Sequence, residues 1–250
     1  MATAKSSMSA TELLRPDWPA PARVKAFSTT RAGGVSIAPY SALNLGSHVG
    51  DAPEAVAANR TLLTRHLPAQ PLWLTQVHGK TVVDAALAAP DSEADAAIAH
   101  QAHCICTIMT ADCLPVLFCD QAGSAVGAAH AGWRGLADGV LEATVDAMRC
   151  DASDIMAWFG PAIGPTAFEV GHDVRDIFVN QDPVHASAFV ARGEKWLCDL
   201  YLLARQRLNK MGITLIFGGE RCTYSESAQF FSYRRDGRTG RMASLIWLEE

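Results

Sequence analysis

A chain of 250 residues can bury roughly 70% of its unfolded surface, so its core needs no disulfide or structural metal. The net charge of −5 argues against a nucleic-acid binder held by overall positive charge, and any anionic ligand must be met by a local group of Arg or Lys. Seven cysteines without regular spacing are typical of reduced thiols, and no apolar run is long enough for a signal peptide or a membrane span. We therefore expect a cytoplasmic protein that binds neither nucleic acid nor membrane.

The N-terminal part of the chain predicts a flexible segment, a strand and a long loop. Residues 1–22 are small, polar and interrupted by prolines, which is typical of a mobile terminus. A first strand is predicted at Arg23–Thr30, and it leads into the glycine turn Arg31–Ser36. The loop of small residues at 39–51 has the length and composition of a binding loop. A helix is predicted to begin at Pro53, since proline is favoured in the first turn.

Reactive side chains follow apolar runs in the middle of the chain. Leu72–Val77 is strand-like and leads directly to His78. Residues 104–131 contain three apolar runs, with Cys113 between the first two and His130 at the end of the third. A thiol and an imidazole are therefore expected at the ends of neighbouring strands, where loops commonly carry catalytic groups.

Two helices and two strands are predicted in the second half. The apolar stripes at 136–149 and 196–211 have helical spacing, and 155–159 and 213–217 have the pattern of buried strands. The alanine-rich stretch 85–101 is ambiguous, and its scattered acids suggest exposure.

Together these elements predict an α+β fold with mixed sheets. The strands are short and numerous, and the helices do not alternate regularly with them, unlike in a doubly wound dinucleotide-binding fold. Neither a G-x-G-x-x-G nor a Walker A pattern is present. We expect a single catalytic domain at residues 23–250.

His78, Cys113 and His130 form a candidate metal-binding set. Two imidazoles and a thiolate suit Zn²⁺, and three protein ligands leave a fourth position for water or substrate, as in catalytic zinc sites. The residues alone leave two alternatives open. Cys113 is equally a buried thiol beside satisfied histidines, or a nucleophile with His130 as its base and Asp112 as the group that orients them.

Several cations lie in or beside glycine-containing loops. An arginine in such a loop can approach an oxyanion closely and donate two parallel hydrogen bonds to it. Each one singly is equally well a solvated surface charge, but together they predict a phosphate or carboxylate site. These cations are Arg31, Lys80, Arg134, Arg234, Arg235 and Arg241.

Seven segments, in order along the chain, resemble the signature blocks of the family long labelled multicopper polyphenol oxidase or laccase-domain proteins. They are STTRAGGVS, YSALNLGSHVGD, LTQVHG, TADCLPVLFCD, GAAHAGWRG, GPAIGP with FEVG, and FFSYRRDGRTGR. The likeness covers nearly the whole chain from Arg23. It implies an α/β/β/α sandwich similar to the catalytic domain of cytotoxic necrotizing factor.

The resemblance also implies an activity. Members of the family are purine nucleoside enzymes, which implies phosphorolysis of adenosine, inosine and methylthioadenosine, and deamination of adenosine. It places the metal ligands at His78, Cys113 and His130, with zinc as the expected ion and copper as the alternative. We take Arg31 as the leading phosphate ligand and Asn44 as the residue that positions phosphate or ribose hydroxyls. The expected partners are purine nucleosides and phosphate, and the expected oligomeric state is a monomer.

Two other enzyme classes are weighed beside this one. A copper-dependent polyphenol oxidase typically has H-x-H pairs, and none of the eight histidines is so paired. Relatives often carry two cysteines after GPAIGP, where this chain has Thr166 and Ala167, so two soft copper ligands are missing. The second class is a metal-independent cysteine hydrolase or amidase, such as one that edits peptidoglycan precursors. A non-catalytic metal- or thiol-binding module is the third reading.

Overall fold

The computed structural model describes residues 13–250, which form thirteen strands and six α-helices. The strands are β1 (Leu13–Leu14), β2 (Val24–Thr29), β3 (Val82–Asp84), β4 (Ala96–Ala99), β5 (Cys106–Thr110), β6 (Leu114–Asp120), β7 (Val126–Ala131), β8 (Ile155–Phe159), β9 (Glu169–Val170), β10 (Phe189–Arg192), β11 (Lys195–Cys198), β12 (Leu215–Gly218) and β13 (Met242–Leu248). The helices are α1 (Pro53–Thr64), α2 (Trp133–Asp138), α3 (Val140–Met148), α4 (His172–Gln181), α5 (Leu200–Lys210) and α6 (Tyr233–Asp236). Within residues 13–250, every helix is too short or too polar to cross a membrane.

Two large sheets form the centre of the fold. The four-stranded sheet has the order β1-β2-β13-β5 and is antiparallel throughout. The six-stranded sheet has the order β12-β8-β6-β7-β4-β3, and its outer pairs β12–β8 and β3–β4 are parallel while the inner pairs are antiparallel. A small third sheet has the order β10-β11-β9.

The two large sheets pack face to face and carry helices on their outer faces. Ile108 of the four-stranded sheet and Leu117 of the six-stranded sheet belong to the apolar layer between them. Phe118, one residue further along β6, belongs to the other layer with Leu203 of α5, because successive strand residues point to opposite faces. Leu63 of α1 packs on the outer face of the four-stranded sheet. The predicted α/β/β/α sandwich with mixed sheets is confirmed.

Two helices have bounds that differ from those predicted. The predicted helix at 136–149 is divided into α2 and α3, because Gly139 adopts a positive φ of 98° that ends one helix and begins the next. The predicted helix at 196–211 begins only at Leu200. The residues before it form β11, and Asp199 caps the helix with its side chain.

Two segments predicted to be flexible or exposed contain strands. Residues 1–12 lie outside the described part of the chain, and Leu13–Leu14 pair antiparallel with β2, so the flexibility of residues 1–22 stays a prediction. The stretch 85–101, expected to be exposed, contains the fully buried strand Ala96–Ala99 between β3 and β7. The acids of this stretch suggested exposure, but one of them, Asp95, is itself buried.

The connections between strands bring the candidate ligands to one end of the sandwich. Because β5 and β6 belong to different sheets, the chain crosses between the sheets at the turn that carries Cys113. β6 and β7 are antiparallel neighbours, and Pro115 lies opposite His130. The expectation that Cys113 and His130 lie at the ends of neighbouring strands is confirmed.

Candidate active site

His78, Cys113 and His130 converge at this end of the six-stranded sheet. One ligand atom from each lies within 4.8 Å of the others, and Cys113 Sγ is 3.7 Å from His78 Nε2. The two imidazole centroids are 4.7 Å apart. Ligand atoms around a tetrahedral zinc ion are roughly 3.5 Å apart, so the set fits one ion with a small adjustment. The predicted convergence is confirmed, and the identity of the metal stays a prediction.

The ligand turns depend on unusual backbone geometry. His78 has a φ of 62° and Asp112, next to Cys113, has a φ of 100°. Left-handed conformations in residues other than glycine are uncommon and cluster at functional sites. Gly132 allows a close approach, because a Cβ there would lie 2.9 Å from His78 Cδ2 and 3.0 Å from Cys113 Sγ. The glycine of the AHAGWRG block therefore makes room for two ligands.

Sequence reasoning missed Asp95, which precedes β4 and is completely buried. Its Oδ1 accepts hydrogen bonds from His130 Nδ1 at 2.8 Å and from the backbone N–H of His78 at 2.9 Å. Its Oδ2 accepts from the backbone N–H groups of Val77 at 3.1 Å and Gly79 at 2.7 Å. No local signal marks it, because Asp95 is the last of three acids at alternate positions 91, 93 and 95.

Opposite charges share the site. Desolvation opposes ionisation of the Cys113 thiol, but the charge and hydrogen bonds of His130, together with His78, outweigh it and lower the pKa of Cys113 to about 6. Burial likewise opposes the imidazolium of His130, but Cys113 and Asp95 outweigh it and raise the pKa of His130 to about 9. For Asp95, burial is outweighed by His130 and by the N–H donors of the turn, so its pKa is lowered. The protein thus favours the thiolate, which is the form that binds a metal.

Cys113 is expected to be a reactive thiol in metal-free protein. Its alkylation rate by iodoacetamide should rise with pH through about 6 and then level off, because the thiolate is the nucleophile. Cys106, Cys119 and Cys198 are buried, and burial raises the pKa of each, so they should stay unmodified in the folded chain. Peptide mapping by mass spectrometry measures the rates, and added zinc should protect Cys113. A Cys113 rate that still climbs well above neutral pH would contradict the lowered pKa.

A cavity of about 530 Å³ opens over the three ligands. This volume is in the range of small-molecule sites, and its walls combine apolar surface with a few charged groups, as ligand pockets commonly do. The apolar wall includes Met109, Trp133, Ile163, Phe168 and Leu200. The cationic wall consists of Arg134, Arg234 and Arg241, and His48 also lines the cavity.

The cationic wall concentrates positive charge. Burial lowers the pKa of Arg241, and burial together with the charge of Arg241 lowers the pKa of His48. Arg241 donates to the carbonyls of the preceding loop, and Arg234 lies over the Phe168 ring with a hydrogen bond to the Glu169 carbonyl. Three guanidinium groups that line one cavity can donate charge-assisted hydrogen bonds to an anion, so this wall is suited to phosphate. His48 belongs to the loop 39–51, which the sequence predicts to bind ligand, and it lines the cavity.

Arg31 and Asn44 are placed differently from the prediction. Arg31 lies 4.8 Å over the Phe231 ring, and its Nε donates to the Ser41 carbonyl at 2.9 Å. Asn44 is completely buried, and its Oδ1 accepts from the backbone N–H of Arg241 at 2.9 Å. Among the described residues, those lining the cavity do not include either one. Both hold loops together, and direct contact with phosphate or ribose stays a prediction without support from their position.

Asp112 does not orient the thiol–imidazole pair, contrary to one of the alternatives from sequence. Its Oδ1 accepts from Thr223 Oγ1 at 2.6 Å, and its Oδ2 accepts from the backbone N–H of Arg234 at 2.7 Å. The carboxylate therefore connects the turn that carries Cys113 to the cationic wall. The orienting contact to His130 comes from Asp95 instead.

Two of the predicted anion-binding cations are engaged elsewhere. Lys80 is exposed and pairs with Asp138 at 3.6 Å. Arg235 donates to the carbonyls of Thr223 at 2.7 Å and Phe230 at 3.0 Å, which fixes the loop before α6. Their roles are in local structure.

Comparison with known proteins agrees with the sequence blocks. Residues 25–249 match the model of a family described as multi-copper polyphenol oxidoreductase laccase. A purine nucleoside phosphorylase of Pseudomonas aeruginosa is 56% identical over 241 residues, covering 95% of this chain and 98% of the relative. A purine nucleoside phosphorylase of Escherichia coli is 54% identical over 240 residues, covering 95% of this chain and 99% of the relative.

Solved structures share the fold over nearly the full length. The crystal structure of a Neisseria meningitidis protein superposes with a TM-score of 0.92 at 52% identity, covering 96% of this chain and 100% of that one. The crystal structure of YlmD from Geobacillus stearothermophilus gives a TM-score of 0.88 at 32% identity, with 98% of both chains covered.

Proposed function

Because the chain belongs to the multi-copper polyphenol oxidoreductase laccase family, and its relatives at 54% and 56% identity are named purine nucleoside phosphorylases, we propose that it cleaves purine nucleosides with phosphate. One observation carries the proposal. A single cavity of about 530 Å³ is lined both by the His/Cys/His set and by three arginines. Phosphorolysis needs both an anion site and help for a departing base.

The cationic wall would bind and position phosphate. In the reaction, an electron pair on a phosphate oxygen forms the new bond to the sugar C1′ while the C1′–N bond breaks. The base leaves with the electron pair of the C1′–N bond and takes up a proton. Arg134, Arg234 and Arg241 can hold the phosphate by charge-assisted hydrogen bonds. Holding it against the sugar makes the attack effectively unimolecular, and its negative charge stabilises the oxocarbenium-like sugar.

The His/Cys/His set would serve the base. The donor set of His78, Cys113 and His130 fits zinc, which when bound supplies Lewis-acid polarisation and an acidic water. Asp95 keeps the proton on His130 Nδ1 and leaves Nε2 for the metal. The apolar residues that line the cavity would contact the purine and exclude water from the reacting bond.

Phosphate and metal dependence test the proposal. Release of hypoxanthine from inosine should require phosphate, should stop when a chelator removes the metal, and should return on addition of zinc. Chromatography of the free base and of sugar 1-phosphate measures this. Turnover that is equally fast without phosphate, or after complete removal of metal, would rule out the mechanism.

We extend the proposal to adenosine and methylthioadenosine as substrates and to deamination of adenosine. Deamination needs an activated water at purine C6, which is chemistry that zinc in the same site can supply. The same assay measures it as phosphate-independent formation of inosine and ammonia from adenosine. Formation of adenine alone would restrict the site to phosphorolysis.

A second candidate function has an observation of its own. The Cys113 thiolate next to the His130 imidazolium is the arrangement of a cysteine hydrolase. That function predicts activity on amides or esters that survives chelation and is lost on alkylation. A polyphenol oxidase is less well matched, because the three side chains provide ligands for one metal ion rather than for a copper cluster.

A further inference from the structure

We infer that Asp95 is the positioning residue of the metal centre, holding both imidazole ligands in place through bonds of the protein itself. The inference rests on the proposed function only in taking His78, Cys113 and His130 as the metal ligands. It is carried by the four hydrogen bonds that the Asp95 carboxylate accepts.

Each oxygen of the carboxylate accepts two hydrogen bonds. Oδ1 accepts from His130 Nδ1 and His78 N, and Oδ2 accepts from Val77 N and Gly79 N. Four donors match the capacity of an ionised carboxylate, which has no proton to donate. Burying a charge without hydrogen bonds is costly, so the buried carboxylate needs the four donors to stay ionised.

The contact to His130 determines which ring nitrogen carries the proton. Since a carboxylate only accepts, Nδ1 must donate, so Nε2 is the ring nitrogen that can give up its proton and bind a metal. The backbone reinforces the contact, because the N–H of His130 donates to the carbonyl of Asp95 at 2.7 Å. Main chain and side chain of His130 are thus tied to the same residue, which fixes the position of the ring.

The contact to the turn fixes His78 through its backbone. Three successive N–H groups of Val77–Gly79 point at the carboxylate, an arrangement that forms an anion-binding nest. His78 has a φ of 62° within this turn, a conformation that persists only where surrounding contacts favour it. These bonds fix the main chain of His78, from which its ring reaches Cys113 Sγ and the His130 ring.

Replacement of Asp95 by asparagine separates positioning from packing, since the two side chains have nearly the same shape. If the amide nitrogen takes the place of Oδ1, it is a donor facing the N–H donor of His78. It also donates to His130 Nδ1, which forces His130 to carry its proton on Nε2. If it takes the place of Oδ2, it meets the N–H groups of Val77 and Gly79 and opens the turn. In both cases zinc affinity should fall by about 10- to 100-fold, the usual effect of losing such a partner.

The experiment compares Asp95→Asn with native protein and with Glu93→Gln, which removes the same charge from an exposed residue two positions away. Competition with a chromogenic chelator gives the zinc affinity, and inosine turnover is measured against zinc concentration. Asp95→Asn should need more zinc for half-maximal turnover and recover with excess zinc, which a folding defect would not do. Glu93→Gln should match native protein. Zinc affinity of Asp95→Asn within about twofold of native would overturn the inference.

Amide hydrogen exchange in native metal-free protein gives a test that does not depend on the variant folding. The His78 and Gly79 amides should exchange slowly because they bond to a buried carboxylate, and fast exchange of both would overturn the inference. If native protein binds zinc through these ligands but releases no hypoxanthine from inosine, only the phosphorylase proposal is refuted. The inference on Asp95 would then still be decided by zinc affinity and amide exchange.

Discussion

Cys113→Ala is expected to lower the rate of inosine phosphorolysis by at least about 1,000-fold, which corresponds to about 4 kcal/mol of transition-state stabilisation. The substitution removes the negatively charged member of the ligand set and leaves two imidazoles. It also removes the thiolate that favours the His130 imidazolium, so the pKa of His130 should fall in metal-free protein. Initial rates and the zinc content of purified protein measure the effect.

Cys104→Ala is the matched control, because Cys104 is a half-buried thiol just before β5 on the four-stranded sheet. It should keep native rates and zinc content. A Cys113→Ala protein that loses activity yet keeps its full zinc content would favour the cysteine hydrolase over the metal mechanism. Retention of more than about a tenth of native activity would contradict both.

Gly132→Ala is expected to have the second-largest effect, although the residue has no side chain. An added Cβ would lie 2.9 Å from His78 Cδ2 and 3.0 Å from Cys113 Sγ, and contacts under 3.0 Å force atoms to move. Two of the three ligands must therefore shift apart from their common centre. We expect zinc affinity to fall by about 100-fold or more, since a metal site tolerates displacements of only a few tenths of an ångström.

Gly79→Ala provides the comparison for this effect. A Cβ at Gly79 would meet Asp95 Oδ2 at 3.5 Å and Val77 Cγ2 at 3.7 Å, which are ordinary contacts, and the backbone N–H is retained. The change in zinc affinity should therefore be far smaller than for Gly132→Ala. Thermal unfolding of both variants shows whether the fold is kept, and equal zinc affinities in the two variants would refute the steric argument.

Cys113 and His130 could be predicted from sequence because apolar runs with a local pattern lead to each of them. Cys113 lies between β5 and β6, and His130 lies near the end of β7. His78 follows the predicted strand Leu72–Val77, where the structure has isolated bridges at Leu72 and Thr75 and no continuous strand. Asp95 could not be found in this way. Its role depends on the pairing of β4 with β7, which joins segments about 30 residues apart in the chain and leaves no periodic trace.

The roles of the loop residues were harder to predict, because they too depend on contacts between distant segments of the chain. Arg31 and Asn44 have the composition of binding residues, but their partners include residues near the other end of the chain, such as Arg241 for Asn44. Trp196 lies in β11 and not in the predicted helix 196–211. Its strand pairs with β9 and β10, and these long-range contacts override the helical pattern of the sequence. The single domain at 23–250, the cytoplasmic location and the monomeric state stay predictions.

The crossing of the chain between the two sheets has a consequence for stability. Cys113 lies on the segment that links β5 of one sheet to β6 of the other, while His130 ends β7 within the second sheet. An ion held by both would bind the turn between the sheets to the end of β7. Moving this turn away from β7 would then require release of the ion, and at a free concentration of about 100 times its dissociation constant the ion would add about 2.7 kcal/mol to the free energy of unfolding.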